Sequence, residues 1–263
     1  ASGGTGSGGG AGALATAQAV NGGTLTIDGS VGSKDVAVVA ATSAKTIAAQ
    51  INNVSGDTGV SATARTDVKA VFSAAGNYAL TIKSDNSTAE TVTFSLTAGS
   101  GDALSTAITA INDKSAKTGV TATLNADKSG IILTNATGND ISIADTATAN
   151  AGTTILTALA VDGTTALGTA RTLAADTTAD TSIVVGQISF NSEKTFSVSQ
   201  AAAGTNILGA AGLVTTASAL NKVSDIDISS TTGSNKAITT IDSALALISG
   251  QRASYGALQN RLE

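Results

Sequence analysis

The sequence predicts an α+β fold: small β-sheets each with a helix on one face, arranged as two related repeat units, then a further β-rich unit and a long C-terminal α-helix. Three observations carry this. A strand–strand–helix–strand pattern occurs twice, with matched residues 60 apart. Alternation of apolar and polar residues, the mark of half-buried strands, recurs through much of the rest. The last segment changes to apolar residues spaced 3, 4, 3, the spacing of a helix with one buried seam.

Residues 1–21 are rich in Gly and Ala and read as a linker or domain edge. The two repeats fill 22–144. The first opens with Leu25-Thr26-Ile27 and Val36-Ala37-Val38-Val39, followed by a helix over 43–53 with Ile47 and Ile51 on one side. Thr58-Gly59-Val60 then leads into a strand. The second opens with Leu80-Thr81-Ile82 and Val92-Thr93-Phe94, and its helix over 102–114 presents Leu104, Ala107, Ile108 and Ile111. Thr118-Gly119-Val120 ends it. Ile51-Asn52 and Ile111-Asn112 share the 60-residue offset with Gly59 and Gly119, which marks a repeat. Each helix has one apolar stripe and needs a sheet to cover it.

Residues 145–223 form the further β-rich unit. Its Thr- and Asp-rich first part resists assignment, and alternation returns at Ile183-Val184-Val185, Gln187-Ile188-Ser189-Phe190 and Thr195-Phe196-Ser197-Val198. Residues 201–223 read as loop or short helix, and Ile226-Asp227-Ile228-Ser229 as a short strand. In 224–263 the seam runs Ile238, Ile241, Leu245, Ile248, then Arg252, Tyr255, Gln259 and Leu262, with Leu258 on the adjacent stripe. Ser234 is the expected N-cap. Such a helix of about 29 residues is roughly 43 Å long, and the chain offers nothing to pack along its whole seam.

Composition excludes several function classes. The chain has 263 residues, no His, Cys, Met, Trp or Pro, and a net charge of −5 with 14 scattered Lys and Arg. No basic stripe or aromatic platform favours nucleic acid. Without His or Cys, the commonest general base and the commonest zinc ligands are missing. No cofactor or metal is expected, and no catalytic residue is assigned. Gly4, Gly6 and Gly9 match a G-x-G-x-x-G string but follow no strand, so they read as linker. Asp225 with Asp227, and Asp176 with Asp180, read as solvated acids. The turn Gly138-Asn139-Asp140 lacks the alternating acids of a calcium loop. Asn53, Asn86 and Asn135 head formal glycosylation sequons. No apolar run approaches the roughly 20 residues that span a bilayer.

The stretch from Ala237 to Leu262 reads AITTIDSALALISGQRASYGALQNRL. It resembles the opening of the C-terminal core helix of bacterial flagellin, and the two Ile-Asn repeats resemble those of flagellin variable regions. The resemblance implies a structural, secreted protein of the extracellular flagellar filament, serving swimming motility. It further implies that most of the coiled-coil core lies outside these residues, and that other flagellin subunits are the partners. Host immune receptors or antibodies would meet the outer surface. Arg252, Gln259, Asn260 and Arg261 would join Ile241, Ile248, Tyr255, Leu258 and Leu262 in subunit contacts. An adhesin-like flagellin, or a filament-cap or hook-associated protein, is the alternative, and it calls for an exposed aromatic or concave apolar patch.

Overall fold

The computed structural model describes residues 7–8, 22–201, 214–218, 228 and 231–262. The expected linker at 1–21, the segment 201–223 and the strand at 226–229 lie mostly outside these residues.

A short strand β1 (Ser7–Gly8) precedes the first motif, which consists of β2 (Gly23–Asp28), β3 (Ser33–Val38), α1 (Ala44–Asn53), the single turn α2 (Ser55–Thr58) and the long β4 (Ser61–Phe72). The second motif has the same order: β5 (Gly76–Lys83), β6 (Glu90–Leu96), a 3-10 turn at Gly101–Leu104, α3 (Ser105–Asn112), α4 (Ser115–Thr118) and β7 (Val120–Leu124). Then come β8 (Ile131–Asn135), β9 (Ile141–Asp145), β10 (Thr154–Leu159), β11 (Ala166–Leu173), β12 (Thr181–Val184), β13 (Gln187–Asn191), β14 (Ser197–Ala201) and β15 (Val214–Ala217). The C-terminal helix is α5 (Thr231–Leu262). The mixed α+β class with antiparallel sheets is therefore present. α5 begins three residues before Ser234, which lies inside the helix and is not its cap.

The strands form antiparallel sheets in the orders β1-β12-β9-β5-β6, β11-β10-β4-β8-β7 and β15-β14-β2-β3, with β13 paired to the first half of β4. Each motif is completed by a hairpin from elsewhere. In the second, β8 pairs with β7 and β9 with β5. In the first, β13 pairs with β4 and β14 with β2. The completing hairpin of the second motif follows it directly, whereas that of the first arrives only at Gln187.

Each motif's third strand therefore joins a different sheet from its hairpin. For that reason its helix does not lie on one face of one small sheet. α3 packs on β6 and β7, the edge strands of two facing sheets, and α1 packs on β4, β13 and β3. Leu104, Ala107 and Ile111 enter a core between Val68, Ala70, Phe72, Ile131 and Leu133 on one sheet and Tyr78, Leu80, Ile82, Ile141 and Ile143 on the other. Ile47 and Ile51 enter a second core with Leu25, Ile27, Val60, Ile188, Phe190 and Val198. Sixty residues apart, Ile51 and Ile111 are both buried to within 1%.

The Asn of each Ile-Asn pair explains the fixed spacing. Asn52 Nδ2 donates to the Ala62 carbonyl, and its Oδ1 accepts from the Ala62 N–H, both at 2.8 Å. Asn112 does the same to Ala122, at 3.0 and 2.7 Å. A side-chain amide thus replaces a neighbouring strand for one residue and ties the helix end to the strand that follows. Between them the chain turns at Gly59 and Gly119, with φ of 73° and 70°, a left-handed conformation that suits Gly. Thr58 and Thr118 are buried, each accepting from the N–H two residues on at 3.2 Å.

Asn112→Ala is expected to destabilise the chain by about 1–3 kcal/mol, because it strands a buried N–H and C=O of Ala122. Asn112→Asp, which keeps the acceptor and loses the donor, should cost nearly as much. Urea unfolding of the two variants checks this. An unchanged midpoint for Asn112→Ala would mean the latch is dispensable.

Candidate subunit interface

The best candidate for a functional surface is α5. Its sequence supplies good helix formers at many positions, including Ala237, Ala244, Leu245, Ala246, Leu247, Ala253 and Leu258. Apolar residues at alternating 3- and 4-residue steps fall on one slowly drifting face, moving about 20° per heptad.

The structure places that face largely in solvent. Ala237 is buried at the helix start. Beyond it, Ile238, Ile241, Leu245 and Ile248 are 43–59% exposed, Leu258 is 55% exposed and Tyr255 is 70% exposed. Arg252, Gln259, Asn260 and Arg261 are exposed as well. Leu262 closes the helix, and its side chain lies outside the described residues. The helix therefore holds these residues along one rod, with the polar members beside the apolar ones. An uncovered apolar stripe of this length is characteristic of an association surface.

The remaining candidates resolve differently. The segment with Asp176 and Asp180 is irregular, not helical. Asp180 Oδ2 accepts from the Ala174 N–H at 2.8 Å, and Asp176 Oδ1 from the Thr178 N–H at 2.7 Å. Both acids thus organise a loop. Asp225, Asp227, Gly4, Gly6 and Gly9 lie outside the described residues. Among the described residues no group of three or more Asp and Glu gathers as metal ligands, and no helix is long and apolar enough to cross a membrane. Asn135 cannot serve as a glycan acceptor in the folded chain. It is fully buried and donates to Ser84 Oγ at 2.9 Å and Asp85 Oδ1 at 2.7 Å. Asn53 is exposed at the end of α1.

One pocket, of about 320 Å³, lies over Asn77–Ala79, Thr93, Phe94 and Thr148–Asn150. Tyr78 is its one ionisable lining residue; burial raises its pKa, and its hydroxyl donates to the Ala74 carbonyl at 2.9 Å. Such a lining offers neither a nucleophile with a base nor a charged anchor. The aromatic residues are spent elsewhere: Phe72, Tyr78 and Phe94 stack and edge against one another, with ring centroids 5.0–5.6 Å apart, and Phe190 meets Phe196 in the second core. Sequence spacing alone could not reveal that five of the six aromatics are internal.

If the seam makes no contact within the chain, Leu258→Ser should shift stability by no more than about 0.5 kcal/mol, as exposed substitutions do. Thermal unfolding of the variant reads this out; a loss of several degrees would place Leu258 in a core.

Comparison with known proteins picks out the two strand–strand–helix–strand motifs. The model for the flagellin hook IN motif matches twice, over residues 24–76 and 79–137, the two strand–strand–helix–strand segments. The chain is also similar to the B-type flagellin of Pseudomonas aeruginosa, with 39% identity over 156 residues. That alignment covers 58% of this chain and 31% of the relative, so the chain spans about a third of that protein's length. The chain is thus similar to bacterial flagellin over the paired motif and the aligned stretch.

Proposed function

We propose that this chain is the outer, variable part of a flagellar filament subunit together with the start of its core helix. In this reading it is secreted, extracellular and structural, supports swimming motility and has no catalytic role. The functional division falls near residue 224. Before it, 22–144 carries the two Ile-Asn motifs and the hairpin that completes the second, and 145–223 carries the strands that complete the first; after it, 224–263 opens the core.

The observation that carries the reading is the exposed heptad seam on α5, joined to sheets whose outer faces are hydroxyl-rich. Thr91, Thr93 and Ser95 on β6, and Thr121 and Thr123 on β7, alternate with buried apolar residues and face solvent. One surface is thus built for burial and the other for water. Covering Ile238, Ile241, Leu245, Ile248 and Leu258 would yield roughly 1.5–3 kcal/mol per fully buried side chain. Neighbouring core helices of other subunits supply that cover in the proposed assembly, with Arg252, Tyr255, Gln259, Asn260, Arg261 and Leu262 in the same contacts. The adhesin-like and filament-cap readings need an exposed aromatic or concave apolar patch, and the burial of Phe72, Phe94, Phe190 and Phe196 removes most of the material for one.

The purified chain, concentrated in polymerising salt, should give no regular filaments by electron microscopy or sedimentation, because α5 alone has no repeating partner. In cells that build filaments from the parent protein, Leu258→Asp should shorten the filaments and slow swimming, whereas Thr93→Asp leaves both unchanged. Filaments from the isolated chain, or the reverse pattern in cells, would put the assembly determinants elsewhere.

A further inference from the structure

Strand β9 carries an acid at each end. Asp140 immediately precedes it and Asp145 is its last residue. Both reach across to the flanks of its partner β12. Asp140 Oδ1 accepts from the Gly186 N–H at 3.4 Å, just after β12. Asp145 Oδ1 accepts from the Asp180 N–H at 2.6 Å, just before it, while the Asp145 N–H donates to the Asp180 carbonyl at 3.1 Å. Between these ends Thr181 to Val184 pair with Ala144 to Ile141. β12 is thus pinned at both ends by carboxyl groups.

Asp140 is half-buried with a long acceptor bond, and Asp145 is poorly placed as an anion. Asp145 is 3% exposed, and its Oδ2 is buried without a hydrogen-bond partner. A buried charged oxygen without a partner is costly, and a protonated one much less so. The neighbouring charges do not relieve it, since Asp180 and Asp176 are also acids. At the other end, the turn before Asp140 is held by Lys45 N–H on the Gly138 carbonyl at 3.1 Å, Ser43 Oγ on Asn139 Oδ1 at 3.1 Å, and Thr66 Oγ1 on the Asn139 carbonyl at 2.8 Å. The charged residues on the elements packed there are Lys45, Asp85 and the Arg65–Asp67 ion pair, whose closest approach is 2.6 Å. Lys83 lies opposite Ser142 on β5.

We propose that Asp140 and Asp145 form a pH-responsive clasp on β12, closed more tightly when the two carboxyl groups are protonated and loosened when they are charged. The clasp sits at a seam of the fold: after β12 the chain passes through Val185 and Gly186 into β13, the strand that returns to the first motif. Its state therefore sets how firmly that return is held.

Burial pushes the Asp140 carboxyl up to about 6 against the opposing hydrogen bond from Gly186. Burial also raises Asp145, with the Asp180 and Asp176 carboxylates adding to it and the Asp180 N–H opposing. A carboxyl group raised in the folded state binds more protons there than in the open state, so the seam weakens as pH climbs from the open-state value, about 3.9, through the folded one. For Asp140 alone the change between about pH 5 and about pH 7 amounts to roughly tenfold in the opening equilibrium.

Amide hydrogen exchange on the full chain tests the clasp, with rates corrected for intrinsic pH dependence. Protection of the β12 amides should be about tenfold or more greater at about pH 5 than at about pH 7, with amides of the β4–β8 pair changing less. The Asp140→Asn, Asp145→Asn double variant should lose the pH step and keep high β12 protection at neutral pH. A pH step that persists in the double variant, or no step in the parent chain, overturns the proposal. If the double variant does not fold, carboxyl carbon shifts of Asp140 and Asp145 in the parent chain decide. Inflections well above about 4 support the clasp, and inflections near about 4 overturn it.

Discussion

The sheets depend on one strand. β4 runs for twelve residues, Ser61 to Phe72, roughly 40 Å at strand rise. Its first half pairs with β13 and its second half with β8 and β10. Ala62 lies in one core; Val68, Ala70 and Phe72 lie in the other. A single extended backbone thus belongs to both packed bodies, and the second motif with its strands is inserted between β4 and β13. The crossing point is polar. Asp67 is buried at 2% exposure and is satisfied by Arg65 Nε and by Thr134 Oγ1, each at 2.6 Å. Thr66 bonds the Asn139 carbonyl beside it. Continuous apolar residues at this point would merge the two cores, and the polar pair keeps them distinct.

Given that shared strand, the two Asn latches do equivalent work beside the two separate cores. Each joins the helix end and the next strand through contacts that need no distant strand. Local contacts of this kind close short loops, about ten residues, at small entropic cost. The completing hairpin of the second motif is also local, since β8 follows β7 after a short turn. The hairpin of the first motif is separated from β4 by the whole segment up to β13, so its pairing carries a closure cost about 2 kcal/mol larger.

That difference explains what could be read from the sequence. The repeat was legible because Asn52 and Asn112 must sit ten residues before the strand position each one binds, so the 60-residue offset recurs at Ile51, Asn52 and Gly59. The helix stripes were legible because Ile47, Ile51, Ala107 and Ile111 have no alternative face to bury. The helices' position across two sheets was not, because it depends on where β4 and β7 find partners. Ile188-Ser189-Phe190 and Ile131-Ile132-Leu133 are both apolar-rich strand segments, and no local feature says that one pairs with Ala64-Thr63-Ala62 and the other with Leu124-Thr123-Ala122. The Thr- and Asp-rich stretch of 145–182 hid β10, β11 and the start of β12 for a related reason. Thr154, Thr181 and Ser182 are buried polar residues and β11 is exposed along much of its length, so alternation fails there. For the candidate interface, heptad spacing predicted the seam on α5, whereas the partner proposed for it, another helix, leaves no mark in this chain beyond exposure.

A low-charge chain must keep its sheet exteriors soluble by other means. Thr supplies them: its β-branched side chain favours strand geometry, and its hydroxyl keeps the outer face hydrated without adding a large apolar patch. Strands can therefore hold regular alternation, as β6 does with Thr91, Val92, Thr93, Phe94, Ser95 and Leu96, while charged residues remain few. Adhesion between such faces is weak, since water competes for every hydroxyl. The apolar residues of α5 face no such competitor. In the proposed assembly, this contrast between hydrated sheets and an uncovered helical seam would direct association toward the helix and leave the sheets facing outward.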